Sequence, residues 1–240
     1  MINGEKTKLK LFCFPFGGAG VSVFSGWEDS FDENVEVIPI QLPGRERLID
    51  EEPYKDINKA ADDFADLIKK EYSGFSVAFF GHCFLGSVLA FEVIKRLESC
   101  QEIDVKYLFV SAAYTPGSKR EYGLELEDDD KFIAGVEKLT GFKNEAFAIP
   151  ELRELLLPGF KADFEMDIKY KTRENDRIGV PIRAIYAEND KFVAKSEVEL
   201  WCQYTTKEFE IFKVSGEHLY ICDNPKETIE IIKNTINDIN

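Results

Sequence analysis

The sequence predicts an α/β protein built on a doubly wound, mostly parallel sheet. Short apolar runs alternate with stretches of helical periodicity, the rhythm of strand–helix–strand units. One run, FSVAFF, is continuously apolar, as strands buried on both faces are. At 240 residues and 44% hydrophobic content, the chain suits one domain over residues 1–240 with a large core.

Taken in order, KLKLFCF at 8–14 is a strand that stops at Pro15 and runs into a glycine-rich loop, PFGGAG. VEVIPI at 35–40 is a second strand, and Pro39 places it at an edge or a strand end. The turn LPGRE follows. Over 56–71 the residues Ile57, Ala60, Ala61, Phe64, Leu67 and Ile68 share one helical face, with Asp56 as N-cap. FSVAFF at 75–80 is a strand, 84–97 a helix, and VKYLFV at 105–110 a strand. From about 117 to 175 the chain is charged and helical, with no strand pattern, and reads as an insertion between core strands. The β/α rhythm returns with PIRAIYA at 181–187, a helix near 196–204 and FEIFKV at 209–214. A last helix starts at Asn224-Pro225 and buries Ile229, Ile232, Ile236 and Ile239.

Composition excludes several function classes. A formal net charge of -15 opposes binding to nucleic acid phosphates, and an acidic partner would need a local basic patch. No apolar run reaches the roughly 20 residues of a membrane span, and MINGEKTKLK is no signal peptide, so a cytoplasmic protein without membrane contact is expected. The five cysteines, Cys13, Cys83, Cys100, Cys202 and Cys222, form no CxxC pair. Neither a metal site nor a disulfide framework is expected, and most of the thiols should be buried small hydrophobes.

Three features follow successive predicted strands, at the C-terminal edge where open α/β sheets place their sites. Cys83 follows FSVAFF within GHCFLGS, Glu188-Asn189-Asp190 follows PIRAIYA, and His218 follows FEIFKV. Nucleophile, acid, histidine is the chain order of the α/β-hydrolase fold. A thiol can attack a carbonyl carbon, an imidazole can move the proton, and a carboxylate can fix the imidazole tautomer. The oxyanion needs two backbone N–H donors, which the pattern places at Gly17, in the glycine loop, and Phe84, at the start of a helix. Only two histidines exist. His82, beside the nucleophile, is the rival base, and diverging side chains on a tight elbow favour a packing role for it.

These and other stretches resemble the type II thioesterases of non-ribosomal peptide and polyketide synthesis. The matching pieces are LFCFPFGGAG with Trp27, QLPGRE at 41–46, FFGHC at 79–83, LFVSAAYTP at 108–116, LLLPGFKADFEMDIKY at 155–170, AENDKFV at 187–193 and GEHLYI at 216–221. QLPGRE and the LLLP…ADF stretch are the more specific. The resemblance implies the α/β-hydrolase fold and hydrolysis of acyl groups from the phosphopantetheine arm of acyl or peptidyl carrier proteins. No bound cofactor is implied, phosphopantetheine arriving with the carrier, and the protein is expected to act as a monomer. Cys83 would be the nucleophile, Asp190 the acid, His218 the base, and Gly17 and Phe84 the oxyanion donors. The segment 117–175 would be a mobile lid. Acyl-pocket candidates are Phe16, Leu85, Leu156, Phe160 and Phe164, with Phe132, Leu155, Leu157 and Met166 as further lid residues that suit core equally well.

Two departures separate the chain from the resemblance. The family usually has serine where Cys83 stands, and glycine where Leu85 stands. Either Leu85 replaces that glycine or one residue is inserted ahead of Gly86; a bulky residue here should strain the turn or rotate the helix. A free thiol titrates near 8.5, so it is partly ionised at neutral pH, unlike a serine hydroxyl. A cysteine acyl-enzyme is itself a thioester and stays activated. Transfer of the acyl group to an amine or thiol, or cyclisation, is therefore an alternative to hydrolysis. An engineered serine replacement and a non-catalytic carrier-binding protein are the others; an intact Asp190 and His218 argue against the last.

Overall fold

The computed structural model describes residues 8–237. Six strands form one sheet: β1 (Leu9–Phe14), β2 (Val35–Pro39), β3 (Ser76–His82), β4 (Asp104–Ser111), β5 (Ile182–Ala187) and β6 (Phe209–Val214). Their order is β2-β1-β3-β4-β5-β6, and every neighbouring pair is parallel. The edge position of β2, with Pro39 at its end, follows from the missing N–H of proline.

Side chains alternate across the sheet, so two cores form. Phe12 and Phe14 point to the face covered by α1 (Ile57–Glu71) and α2 (Cys83–Leu97). Leu11 and Cys13 point to the other face, covered by Ile229, Ile232 and Ile236 of a C-terminal helix over 226–237. The α1 N-terminus is closed by Asp56, whose carboxylate accepts from the N–H groups of Asn58 (2.7 Å) and Lys59 (3.3 Å). Such a cap stabilises a helix by about 1 kcal/mol.

Between β4 and β5 the described residues form no strand. They carry α3 (Asp129–Thr140) and α4 (Pro150–Lys169). Phe132, Val136, Phe147, Leu157 and Phe160 make a separate aromatic cluster there, so the segment has a small core of its own. The chain closes with α5 (Lys195–Glu199), α6 (Tyr220–Asp223) and α7 (Lys226–Asn237).

Several expectations need correction. Leu67 lies at the margin of the α1 stripe and is 40% exposed; Ala65 is buried in its place. The helix expected at 196–204 is only α5, followed by a 3-10 turn over Leu200–Tyr204. Trp201 is buried in that turn, and its indole N–H donates to the carbonyl of Ala113 (3.0 Å), which fixes the chain there. Ile239 lies outside the described residues. Cys13 is buried, but Cys83 and Cys100 are half-buried and Cys202 and Cys222 are exposed, so the thiols are not mainly core.

Candidate active site

The site begins at the junction of β3 and α2. Cys83 is the first residue of α2 and has φ 59°, the left-handed region that costs a non-glycine residue about 1–2 kcal/mol. Glycines on both sides let the turn close. A Cβ on Gly81 would lie 2.3 Å from the carbonyl oxygen of Gly86, and one on Gly86 would lie 2.6 Å from that of Phe14. The Ser87 hydroxyl locks the junction by donating to the Gly81 carbonyl (2.8 Å). With Leu85 in place, α2 is a continuous helix from Cys83 to Leu97. Gly86 sits where the helix meets the end of β1, too close to the Phe14 and Pro15 carbonyls for a side chain.

Asp190 sits in the turn after β5, held by its own side chain. One carboxylate oxygen accepts from the N–H groups of Phe192 (2.8 Å) and Val193 (2.9 Å). The other meets Nδ1 of His218 at 2.8 Å. His218 follows β6 in a short loop and is 3% exposed. Burial lowers its affinity for a proton, but the charge of Cys83 and the bond to Asp190 outweigh this and push its pKa up to about 10. Its Nε2 is buried without a hydrogen-bond partner, so the bond to the neighbouring thiol is not closed.

His82 is fully buried and does not compete. Its Nδ1 meets the Ser111 hydroxyl (2.8 Å), which in turn bonds the Tyr220 hydroxyl. Burial and the neighbouring His218 hold its pKa well below the usual histidine range. It is a neutral packing group.

Cys83 and His218 share one narrow, mostly apolar pocket, with about 460 Å³ of empty space including its mouth. Phe16, Gly17, Leu85 and Phe164 line it as well. The N–H of Phe84, second residue of α2, is one of the four that a helix start leaves without an intrahelical carbonyl. Two expected pocket residues lie elsewhere. Phe160 is drawn into the aromatic cluster, 5.2 Å from Phe132 and 5.2 Å from Phe147 between ring centres. Leu156 lines a separate cleft beyond Phe16 and Phe142. Leu157 and Met166 are core, and Phe132 is fully buried.

The pocket also contains residues the sequence reading missed. Tyr122, Phe142 and Phe192 form apolar walls, and Asp163 and Asp167 of α4 reach its edge. Asp163 is paired with Arg45 at 2.6 and 2.7 Å. Asp167 is paired with Arg120 (2.8 Å) and Tyr122 (2.9 Å), while burial pushes its pKa up to about 6. The i, i+4 spacing of these two acids on one helix was the available signal. Among the described residues no group of three or more His, Cys, Asp or Glu side chains is arranged to hold a metal ion.

The sequence matches the thioesterase domain family over residues 9–236. It is 30% identical over 228 residues to the gramicidin S biosynthesis protein GrsT of Aneurinibacillus migulanus, covering 94% of this chain and 88% of that one. Among solved structures, RedJ, a thioesterase from the prodiginine pathway of Streptomyces coelicolor, superposes with a TM-score of 0.84 at 27% identity, over 95% of this chain and 86% of that one. A variant of YbtT, a type II thioesterase from the yersiniabactin pathway, superposes with a TM-score of 0.80 at 25% identity, over 99% of this chain and 92% of that one. The parallel sheet, the elbow after β3 and this agreement along nearly the whole chain lead to one conclusion: the protein belongs to the thioesterase domain family and has the α/β-hydrolase fold of type II thioesterases.

Proposed function

We propose that the protein is a cytoplasmic editing thioesterase of a non-ribosomal peptide or polyketide assembly line. It would hydrolyse acyl groups from the phosphopantetheine arm of carrier proteins through a Cys83 acyl-enzyme. The observation that carries this reading is the shared pocket of Cys83 and His218, with Asp190 bonded behind the imidazole at 2.8 Å. The names of its relatives support the pathway, since GrsT is described as a gramicidin S biosynthesis protein and RedJ as a prodiginine-pathway thioesterase.

In this reading His218 starts as imidazolium beside the Cys83 thiolate. The sulfur attacks the thioester carbonyl carbon, and the oxyanion is held by the N–H groups of Gly17 and Phe84. Collapse breaks the bond to the phosphopantetheine sulfur, which leaves with the proton of His218 Nε2. Neutral His218 then takes a proton from water, and the hydroxide attacks the acyl-enzyme. The second collapse frees the carboxylic acid and restores the thiolate–imidazolium pair. Asp190 keeps Nδ1 protonated, so Nε2 faces the reacting atoms throughout. The segment 117–175 serves as the lid over the acyl pocket within a single domain, and no bound cofactor takes part.

A second reading, transfer of the acyl group to an amine or another thiol, is favoured by the thiol itself and by the apolar pocket walls, which exclude water. Product analysis separates the two, with free acid as the sole product in the hydrolase reading. Replacing Cys83 with alanine is expected to lower turnover of an acyl-carrier thioester by at least about a thousandfold. Undiminished turnover would show that Cys83 is not the nucleophile. Cys83→Ser asks whether sulfur is required at all.

A further inference from the structure

Asp163 and Asp167 are four residues apart on α4, and both are buried. A buried carboxylate costs several kcal/mol unless it is paired, and apolar residues would hold a helix down as well. Here Asp163 bonds the backbone beside Gly17 directly, and Asp167 reaches the Phe84 side chain through Arg120. Asp163 accepts from both terminal nitrogens of Arg45 (2.6 and 2.7 Å) and from the N–H of Gly18 (2.7 Å), next to Gly17. The same Arg45 donates to the carbonyl of Ala19 (3.0 Å). Acid and guanidinium thus grip a donor and an acceptor of one loop, leaving it little freedom to turn.

Asp167 works on the other side. It accepts from Nε of Arg120 (2.8 Å), whose two terminal nitrogens donate to the carbonyls of Ser118 (2.7 Å) and of Asp167 itself (3.2 Å). The guanidinium carbon sits over the Phe84 ring, 3.6 Å from its centre. Phe84 directly follows Cys83, so the guanidinium holds the side chain of the residue next to the thiol.

We infer that Asp163–Arg45 and Asp167–Arg120 are two positioning clamps, through which α4 sets the orientation of the Gly17 and Phe84 N–H donors. The inference rests on the reading of those two N–H groups as the oxyanion hole. Neither acid touches the reacting atoms. Each pair acts through the backbone it holds, and a bidentate arginine does this in a way that lysine cannot.

The test compares two reactions of the same thiol in Asp163→Asn, Asp167→Asn, Arg45→Lys and Arg120→Lys. Hydrolysis of an acyl-carrier thioester forms an oxyanion. Alkylation of Cys83 by iodoacetamide, followed on the Cys83 peptide by mass spectrometry, needs the thiolate but forms none. Each variant is expected to lose about 10- to 100-fold in kcat, with KM within about twofold and the Cys83 alkylation rate unchanged. Wild-type kcat in folded variants would overturn the inference. So would parallel loss of alkylation and turnover, which would mean the pairs merely hold the site together. If an asparagine variant does not fold, the lysine variant of the same pair gives the measurement. Failure of the wild-type protein to cleave any acyl thioester would instead refute the proposed function, a distinct result.

Discussion

At the residue scale, the two histidines give the clearest reading of the site. His218 is pushed up to about 10 because Cys83 and Asp190 favour its charged form more than burial opposes it. His82 is held low by burial and by His218. A group with a raised pKa stays protonated below it, and one with a lowered pKa stays neutral above it. Ring nitrogen NMR between pH 6.5 and 9 should therefore show one charged and one neutral imidazole, with no titration step between. Cys83→Ala removes the largest influence that raises His218, so its step should move down towards the ordinary range. Two rings titrating together near 6.5 in the native protein would contradict the assignment. Leu85 offers a second residue-scale outcome. It is 2% exposed and lines the pocket where the family's glycine would leave space. Leu85→Ala should cost about 2–3 kcal/mol in a urea melt. It should also raise kcat/KM for longer acyl chains over short ones by roughly tenfold. An unchanged chain-length ranking would show that Leu85 belongs to the core alone.

At the scale of elements, the elbow is a packing problem solved by two glycines. Gly86→Ala would set a Cβ 2.6 Å from the Phe14 carbonyl and 2.8 Å from that of Pro15, both backbone atoms that cannot swing aside. Loss of about 1–3 kcal/mol and of nearly all turnover is expected; native stability with full turnover would show that α2 meets β1 differently. The strands were legible because FSVAFF and IRAIYA are mostly apolar, with Ser76 and Arg183 their only polar residues, and are bounded by clear breaks. The elbow was legible only as a thiol between a strand and a helix, because the fit of Gly81 against Gly86 is a contact between elements. The same holds for α4 and the LPGRE turn. Gly159 leaves room for the Gly44 carbonyl, Arg45 pairs with Asp163, and the Glu46 carboxylate accepts from the N–H groups of Val21 (3.0 Å) and Ser22 (3.1 Å). Three stretches far apart in the chain are one contact around the glycine loop, and local periodicity does not report such pairings.

At the scale of the whole molecule, the sheet order brings three strand ends to one edge, and that edge makes the site. Cys83 follows β3, Asp190 follows β5, and His218 follows β6, so chain order alone pointed to these three candidates. The pocket walls were harder to read. Phe16, Leu85 and Phe164 reach the pocket, whereas Phe160 and Leu156 sit on the same helical segment but face the aromatic cluster and a second cleft. Apolar residues at helical spacing look alike in sequence whether they face a core or a cavity. Among the described residues no helix is long and apolar enough to cross a membrane. Whether acyl groups pass through Cys83 is read from intact-mass analysis of acid-quenched mixtures with a panel of acyl-carrier thioesters. The native protein is expected to gain the acyl mass, placed on the Cys83 peptide after digestion, and Cys83→Ala to show no adduct and at least about a thousandfold less product. Free acid formed at an undiminished rate by Cys83→Ala, with no adduct on the native protein, would contradict a Cys83 acyl-enzyme.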